Sequence, residues 1–425
     1  MRIAFITSGA AGMYCGSCMK DNTLAAALNR LGHDTLLIPT YTPIRTDEDD
    51  VSNSHVFYGG INVFLEQKSW LFRHTPWFFD RLLNFPRLLR WVSRFAASTR
   101  AEKLGGLTVS MLEGTHGKQR KEIAKLLYYL KDEAKPDIIV LSNLLISGLV
   151  ADVKNALGVP VLGTVQGDDI FLEALPPEDR LHSIGLVQQN LRLIDGCFAT
   201  SAYYADFMAG YLDHPRERFH VVHPGLNLKG HGLPRTYREQ PPYTVGFFAR
   251  LCPEKGLHQF ADAVVEYRKM AGAPPIRVRL SGWLGEHRRS FFEEQMLKMR
   301  ATGDVEHVAS PGHAGKIEFL RDLDLLSVPT VYREPKGIYI LEALANGTPV
   351  VQPRHGSFPE LIEATGGGLL VEPNDPHALA DGWRQMLENP EKRQAYGEQG
   401  QAAVRERFTA ESMAQNTLDV LKRYV

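Results

Sequence analysis

The feature that most restricts this chain is a strand followed by a glycine loop and a helix, set out twice. Residues 3–7 form a short apolar run, and Gly9, Gly12 and Gly16 come after it. A helical pattern from about residue 20 to 31 closes at Gly32 and leads into a second strand at 35–39. Further strands are expected at 138–141, 161–165, 197–200 and 219–222, with helical patterns between several of them. Residues 225–242 hold several Gly and Pro with little hydrophobic periodicity and read as a linker. After them the pattern restarts: strands at 244–248, 278–281, 325–328, 350–352 and 369–371, with helices near 257–270, 338–346 and 377–388. Strands alternating with helices predict an α/β chain whose parallel sheets carry helices on both faces. The stretch from about 393 to 424 reads as helical and able to pack back on the first half.

A chain of 425 residues exceeds one ordinary core, so two domains are expected. The expected division is residues 1–228, a linker at 229–242, a second domain at 243–405, and a C-terminal helix at 406–425. Hydrophobic and charged contents of 44% and 23% suit a soluble globular protein. The formal net charge is −1, and basic and acidic residues balance in each half, which argues against a nucleic-acid partner. The opening residues have too short an apolar run for an export signal, and the longest apolar region, 138–151, is too short to span a bilayer. With only four cysteines, a reducing cytoplasm and free thiols are expected.

Two segments carry the chemistry. In Glu334-Pro335-Lys336-Gly337-Ile338-Tyr339-Ile340-Leu341-Glu342, Pro335 and Gly337 break regular structure after the first glutamate. The apolar run from Ile338 then winds into a helix that stops at Asn346-Gly347 and Pro349. Its N-terminus offers backbone N–H groups to phosphate oxygens, beside two carboxylates suited to sugar hydroxyls. Such a site reads as a nucleotide-sugar pocket. The second segment, Ala249-Arg250-Leu251-Cys252-Pro253-Glu254-Lys255-Gly256, places an Arg and a Lys five apart on a strand-to-helix loop. Taken alone such a pair is usually solvated; beside the glutamates it suits the charge that builds on a departing diphosphate.

With Val222-His223-Pro224-Gly225, His355-Gly356-Ser357-Phe358-Pro359-Glu360 and Gly367-Gly368-Leu369-Leu370-Val371-Glu372-Pro373-Asn374-Asp375, these segments arrive in an order that resembles a known family. The chain is similar to the GT-B glycosyltransferases, and among them to family 4, over nearly its whole length. The resemblance implies two Rossmann-like domains facing a central cleft, and retaining transfer from a nucleoside-diphosphate sugar. It implies that Arg250 and Lys255 bind the donor diphosphate, that Glu334 holds the donor sugar and that Glu342 accepts bonds from the ribose hydroxyls. The backbone amides of Gly337, Ile338 and Tyr339 fall near sugar and phosphate. Ser281, Gly282 and His313 fall around the rest of the nucleotide. In the first domain, the Gly12–Lys20 loop matches a glycine-rich loop that meets the diphosphate, with Gly16 the best single candidate.

The resemblance also implies that the leaving phosphate takes the acceptor proton, with no side-chain nucleophile. No Asp-x-Asp metal motif stands in a suitable setting. Asp49-Asp50 lies in a polar loop, whereas Asp168-Asp169 follows a strand and faces the expected cleft. Metal-independent chemistry is expected, with no cofactor beyond a UDP- or GDP-linked sugar as substrate.

Departures from the family pattern bear on the acceptor. Gln166, with Asp168, stands where many relatives carry His, and a glutamine cannot exchange a proton near neutral pH. Lys336 replaces an apolar residue and reads as solvated. His116, on a Gly-rich loop, is a weak acceptor-side candidate. Cys15 and Cys18 have redox spacing, but no second pair accompanies them.

Residues 68–103, within an insertion at about 40–120, interleave eight basic residues with eight aromatics, including three of the five Trp. They read first as helices packing on the first domain beside the acceptor. The second reading is a peripheral membrane patch for a lipid-linked acceptor. Residues 58–67 read as a hairpin with a Gly-Gly turn and resemble a stretch of glycogen and starch synthases, which keeps a soluble carbohydrate acceptor open. The expected activity is therefore hexosyl transfer to a hydroxyl of a glycan, glycolipid or small molecule. A nucleotide-sugar epimerase and a non-catalytic sugar-nucleotide binder are the rivals.

Overall fold

The computed structural model describes residues 1–9, 15–53, 56–57, 104–309 and 312–425. Gly12, the 58–67 hairpin and the 68–103 segment lie outside them, and with these most of the insertion. The chain divides into two compact units, Met1–His223 with Ala410–Val425, and Pro224–Thr409.

Among its described residues the first unit holds six strands: β1 (Arg2–Thr7), β2 (Asp34–Pro39), β3 (Ile138–Leu141), β4 (Val161–Val165), β5 (Gly196–Ala199) and β6 (Phe219–Val221). All neighbouring pairs are parallel, in the order β2-β1-β3-β4-β5-β6. Both faces are covered. Ile3 and Phe5 enter one core with Leu24 and Leu28, while Ala4 and Ile6 enter another with Ile139 and Leu141. Successive side chains of a strand point to opposite faces, so a strand buried on both must be apolar without interruption, as the interior of β1 (residues 3–6) and all of β3 are.

The second unit repeats the plan with β7 (Tyr243–Phe248), β8 (Ile276–Ser281), β9 (Val305–Val308), β10 (Leu325–Leu326), β11 (Val350–Pro353) and β12 (Gly368–Val371), in the order β12-β11-β10-β7-β8-β9. Trp383 is fully buried there, its ring 5.1 Å from Phe260 and 6.2 Å from Tyr267. The α/β reading of two parallel sheets holds for both units.

Three details differ from the sequence expectation. The first helix runs Gly16–Arg30, so Gly16 and Lys20 are helical instead of in a loop. Cys15 is extended as its N-cap, and its carbonyl already accepts the Met19 amide at 3.0 Å. Strand β9 was not anticipated: Val305-Glu306-His307-Val308 forms a sheet edge, where half-exposed polar residues replace the continuous apolar run. The C-terminal helical stretch is two helices, Pro390–Arg407 and Ala410–Leu421, broken at Phe408 and Thr409. At the break the Phe408 carbonyl accepts the Leu226 amide at 2.8 Å. The last helix then lies against Gly16–Arg30, burying Met413, Ala414 and Leu418.

Candidate active site

The second unit builds its polar centre on glycines. At the carboxyl ends of β7 and β8 the backbones run together, the Ala249 amide donating to the Ser281 carbonyl at 3.3 Å and the Leu251 amide to that of Trp283 at 2.9 Å. Gly282 lies between them at φ +143°, and a Cβ there would stand 1.7 Å from the Ala249 carbonyl oxygen. Only glycine permits that approach. Ser281 beside it is fully buried. Arg250 is exposed on the following loop, and its charge reaches Tyr332.

Lys255 ends the short turn Pro253–Lys255, where Gly256, at φ +73°, presses on the Pro329 carbonyl. The turn brings the Lys255 ammonium 2.5 Å from Glu334 Oε2 and 2.5 Å from the Tyr332 hydroxyl. It also rests 5.0 Å from the Tyr332 ring centroid and 4.9 Å from that of Tyr339. Glu334 Oε2 accepts further bonds from Tyr332 at 2.8 Å and Tyr339 at 3.3 Å. Its Oε1 faces the Lys336 and Gly337 amides, each at 3.4 Å.

The Glu334 main chain is gripped as well. Ser357 N–H donates to its carbonyl at 2.8 Å, and Gly356, at φ +60°, lies where a Cβ would come within 2.6 Å of its backbone. The His355-Gly356-Ser357 motif thus acts locally by holding Glu334 in place. Burial pushes the Glu334 carboxyl up, but the adjacent Lys255 ammonium overrides it, helped by the Lys336 charge and the Tyr332 bond, and holds it at about 2. It is a permanent anion.

Gly337, at φ +63°, caps the helix Ile338–Ala345. One turn in, Glu342 pairs with Lys316 at 2.7 Å, both side chains buried. Asn346, at the end of the helix, donates to the Glu342 carbonyl and to His231 Nδ1, both at 2.9 Å. His231 in turn meets His313 edge to face at 5.5 Å, and His313 Nε2 lies 3.0 Å from the Lys229 carbonyl oxygen. Lys255, Glu334, Gly337 and Tyr339 are therefore directly connected. Glu342 and His313 share a second cluster at the far end of the same helix.

Lys316, His231 and Asn346 did not emerge from the sequence. The one available signal was a lysine three residues past the candidate His313; it lies on the helix His313–Arg321 and is buried.

In the first unit Gly16 opens its helix, and no contact among the described residues draws it into a cluster. Gln166 follows β4 and is buried, its amide donating to the Ser142 carbonyl at 2.6 Å. Asp168 is also buried, with Oδ1 accepting from Leu144 N–H at 2.7 Å and Oδ2 from Gln166 N–H at 2.9 Å. Burial pushes its carboxyl up to about 6, against the pull of those amides. Asp169 accepts from the Tyr204 hydroxyl at 2.5 Å. His116 is exposed on the turn Gly114–His116, and no described contact joins it to Gln166 or Asp168. Cys15 and Cys18 form no disulfide; the Cys18 thiol is pushed up by its hydrogen bond to Cys15 and by burial.

In overall fold the chain is similar to the Anabaena protein Alr3699/HepE, solved in complex with UDP, with a TM-score of 0.68 at 17% identity over all of both chains. A sucrose-phosphate synthase from Thermosynechococcus elongatus gives 0.71 at 18% identity, covering 100% of this chain and 99% of that one. The family model described as Glycosyl transferases group 1 matches residues 235–403, and the Glycosyl transferase 4-like domain matches residues 22–225. The chain belongs to the family 4-like GT-B glycosyltransferases. Among curated relatives, this glycosyltransferase is 28% identical over 313 residues to a D-inositol 3-phosphate glycosyltransferase of a Nocardioides species, covering 67% of each. It is 36% identical over 116 residues to a phosphatidyl-myo-inositol mannosyltransferase of Mycobacterium leprae, covering 27% of this chain and 31% of that one. The first three such relatives are spanned over 67%, 50% and 31% of their lengths. Among the described residues, no helix is long and apolar enough to cross a membrane.

Proposed function

We propose that this glycosyltransferase moves a hexosyl group from a nucleoside-diphosphate sugar, UDP- or GDP-linked, to a hydroxyl acceptor with retention of anomeric configuration. The observation that carries the reading is the buried Lys255–Glu334 pair at the foot of the Ile338–Ala345 helix, with Glu342 one turn further along. A cation and a permanent anion side by side suit a ligand that is itself divided, diphosphate at one end and polyhydroxyl sugar at the other. Arg250 and Lys255 would meet the charge that gathers on the departing diphosphate. Glu334, ionised at every working pH, can accept a hydrogen bond from a sugar hydroxyl but cannot trade protons. Glu342, oriented by Lys316, would take the ribose hydroxyls.

In the transfer, the bond from the anomeric carbon to the diphosphate oxygen breaks. The acceptor oxygen bonds to that carbon on the same face, and its proton passes to the leaving phosphate. The binding of UDP by Alr3699/HepE favours a uridine donor among the candidates. The inositol-linked relatives favour a polyhydroxyl acceptor, free or lipid-linked. Gln166 and Asp168, after β4, are the acceptor-side candidates on the first unit.

The test is calorimetric titration of wild type and Lys255→Ala with UDP, GDP and ADP. Binding of one nucleotide by wild type and its loss in the variant is the expected result. No binding of any of the three to wild type would sink the reading.

A further inference from the structure

The Lys255–Glu334 pair has two companions whose hydroxyls no motif of the chain called for. Tyr332 and Tyr339 flank it, one before Glu334 and one in the first turn of the following helix. Their hydroxyls do different things. Tyr332 accepts from Lys255 at 2.5 Å and donates to Glu334 Oε2 at 2.8 Å, closing a three-membered circuit with the 2.5 Å ion pair. Tyr339 donates only to Glu334 Oε2, at 3.3 Å.

Counting donors and acceptors shows what this accomplishes. An ammonium has three protons. Two of those on Lys255 are directed at Glu334 and Tyr332, so the direction of the third is set. A carboxylate oxygen has two lone pairs, and Glu334 Oε2 already draws three donors. A further hydroxyl can therefore approach only Oε1, which holds two amides at 3.4 Å, the long end of hydrogen bonding. Both residues are held in place: the Tyr339 ring meets Phe358 edge to face at 6.4 Å, and the Thr330 hydroxyl donates to the Tyr332 main-chain carbonyl at 2.9 Å.

We propose that Tyr332 and Tyr339 are positioning residues that divide the pair between the two halves of the donor. Tyr332 aims the remaining Lys255 proton at the diphosphate and helps hold the carboxylate. Tyr339 holds Oε2 so that Oε1 alone meets the sugar. The proposal rests on the donor-site reading above.

It is tested with Tyr332→Phe and Tyr339→Phe, which keep both rings. Each variant and wild type is titrated with UDP and UDP-glucose, GDP and GDP-mannose, and ADP and ADP-glucose. The comparison uses the pair of probes that wild type binds. Tyr339→Phe should leave the nucleoside diphosphate within about twofold of wild type and weaken the nucleotide sugar about tenfold, as loss of one bond to a charged group does. Tyr332→Phe should weaken both probes by about tenfold or more. A merely structural role would shift both probes alike in both variants, and that outcome overturns the division. So would wild-type affinity for all probes in both variants. If wild type binds no nucleotide at all, the donor-site reading itself falls.

Discussion

Glu334 and Asp168 lie at almost the same depth, 3% and 4% exposed, and their carboxyls are driven in opposite directions. Burial pushes both up. At Glu334 a lysine ammonium at 2.5 Å reverses the effect and holds the group at about 2, whereas Asp168, with backbone amides against it and the Asp169 charge nearby, is left at about 6. Neutral dipoles soften desolvation; a full opposite charge in contact defeats it. The second unit thus keeps a fixed anion. The first keeps a carboxyl that changes state within the range of ordinary buffers.

The contrast breaks most severely at Glu334→Gln, which leaves Lys255 buried without its counter-charge. Unfolding in urea should show a loss of about 3–5 kcal/mol. A loss below about 1 kcal/mol would mean the pair does not hold a buried charge. The next largest effect separates binding charge from structural charge. Lys255→Ala and Arg250→Ala should each lower turnover on the order of 10²–10³-fold. Arg250 is exposed, so its loss should leave stability within about 0.5 kcal/mol, while loss of Lys255 also strands Glu334. Near wild-type turnover in either variant would remove it from the proposed donor site.

The third effect concerns pH. Because the folded Asp168 pKa of about 6 lies above its ordinary value of 3.8, the group's contribution is present at low pH and is lost as pH rises through 6. Glu334 has the opposite sign: its contribution is present above 4.5 and fades as pH falls towards 2. Between pH 7 and pH 4, wild type should gain about 2.4 kcal/mol relative to Asp168→Asn, measured as the difference in unfolding free energy. A gap between the two proteins that does not change with pH would show that Asp168 ionises normally.

Much of the architecture was legible because parallel strands buried on both faces must be uninterrupted apolar runs, and nearly all of those runs could be counted. Strand β9 escaped for the same reason, since its edge position admits Glu306 and His307. Lys255, Glu334 and Glu342 were legible because each sits in a short motif whose glycines serve local backbone demands. Gly256 and Gly337, both at positive φ, are examples. Lys316 was not, because its meaning depends on a partner 26 residues away that only the folded second unit supplies. Tyr332, and the side chain of Tyr339, whose backbone amide alone was a candidate, were hidden differently. A tyrosine beside an apolar helix start looks like core, and only the hydroxyl geometry shows otherwise. At Gln166 and Asp168 the residue types suggested an open polar site, while the structure buries both side chains on neighbouring backbone.

The second unit, 224–409, is a single uninterrupted stretch whose two ends meet, Leu226 N–H bonding the Phe408 carbonyl at 2.8 Å. Topologically it is a guest spliced into a host, since residues 410–425 return to complete the first unit's core. Two cuts would excise the guest as one segment, carrying Arg250, Lys255, Glu334 and Glu342 together. The host cannot be made by simple truncation after residue 223, because the wall formed by Met413, Ala414 and Leu418 would be missing; it needs a short join from 223 to 410.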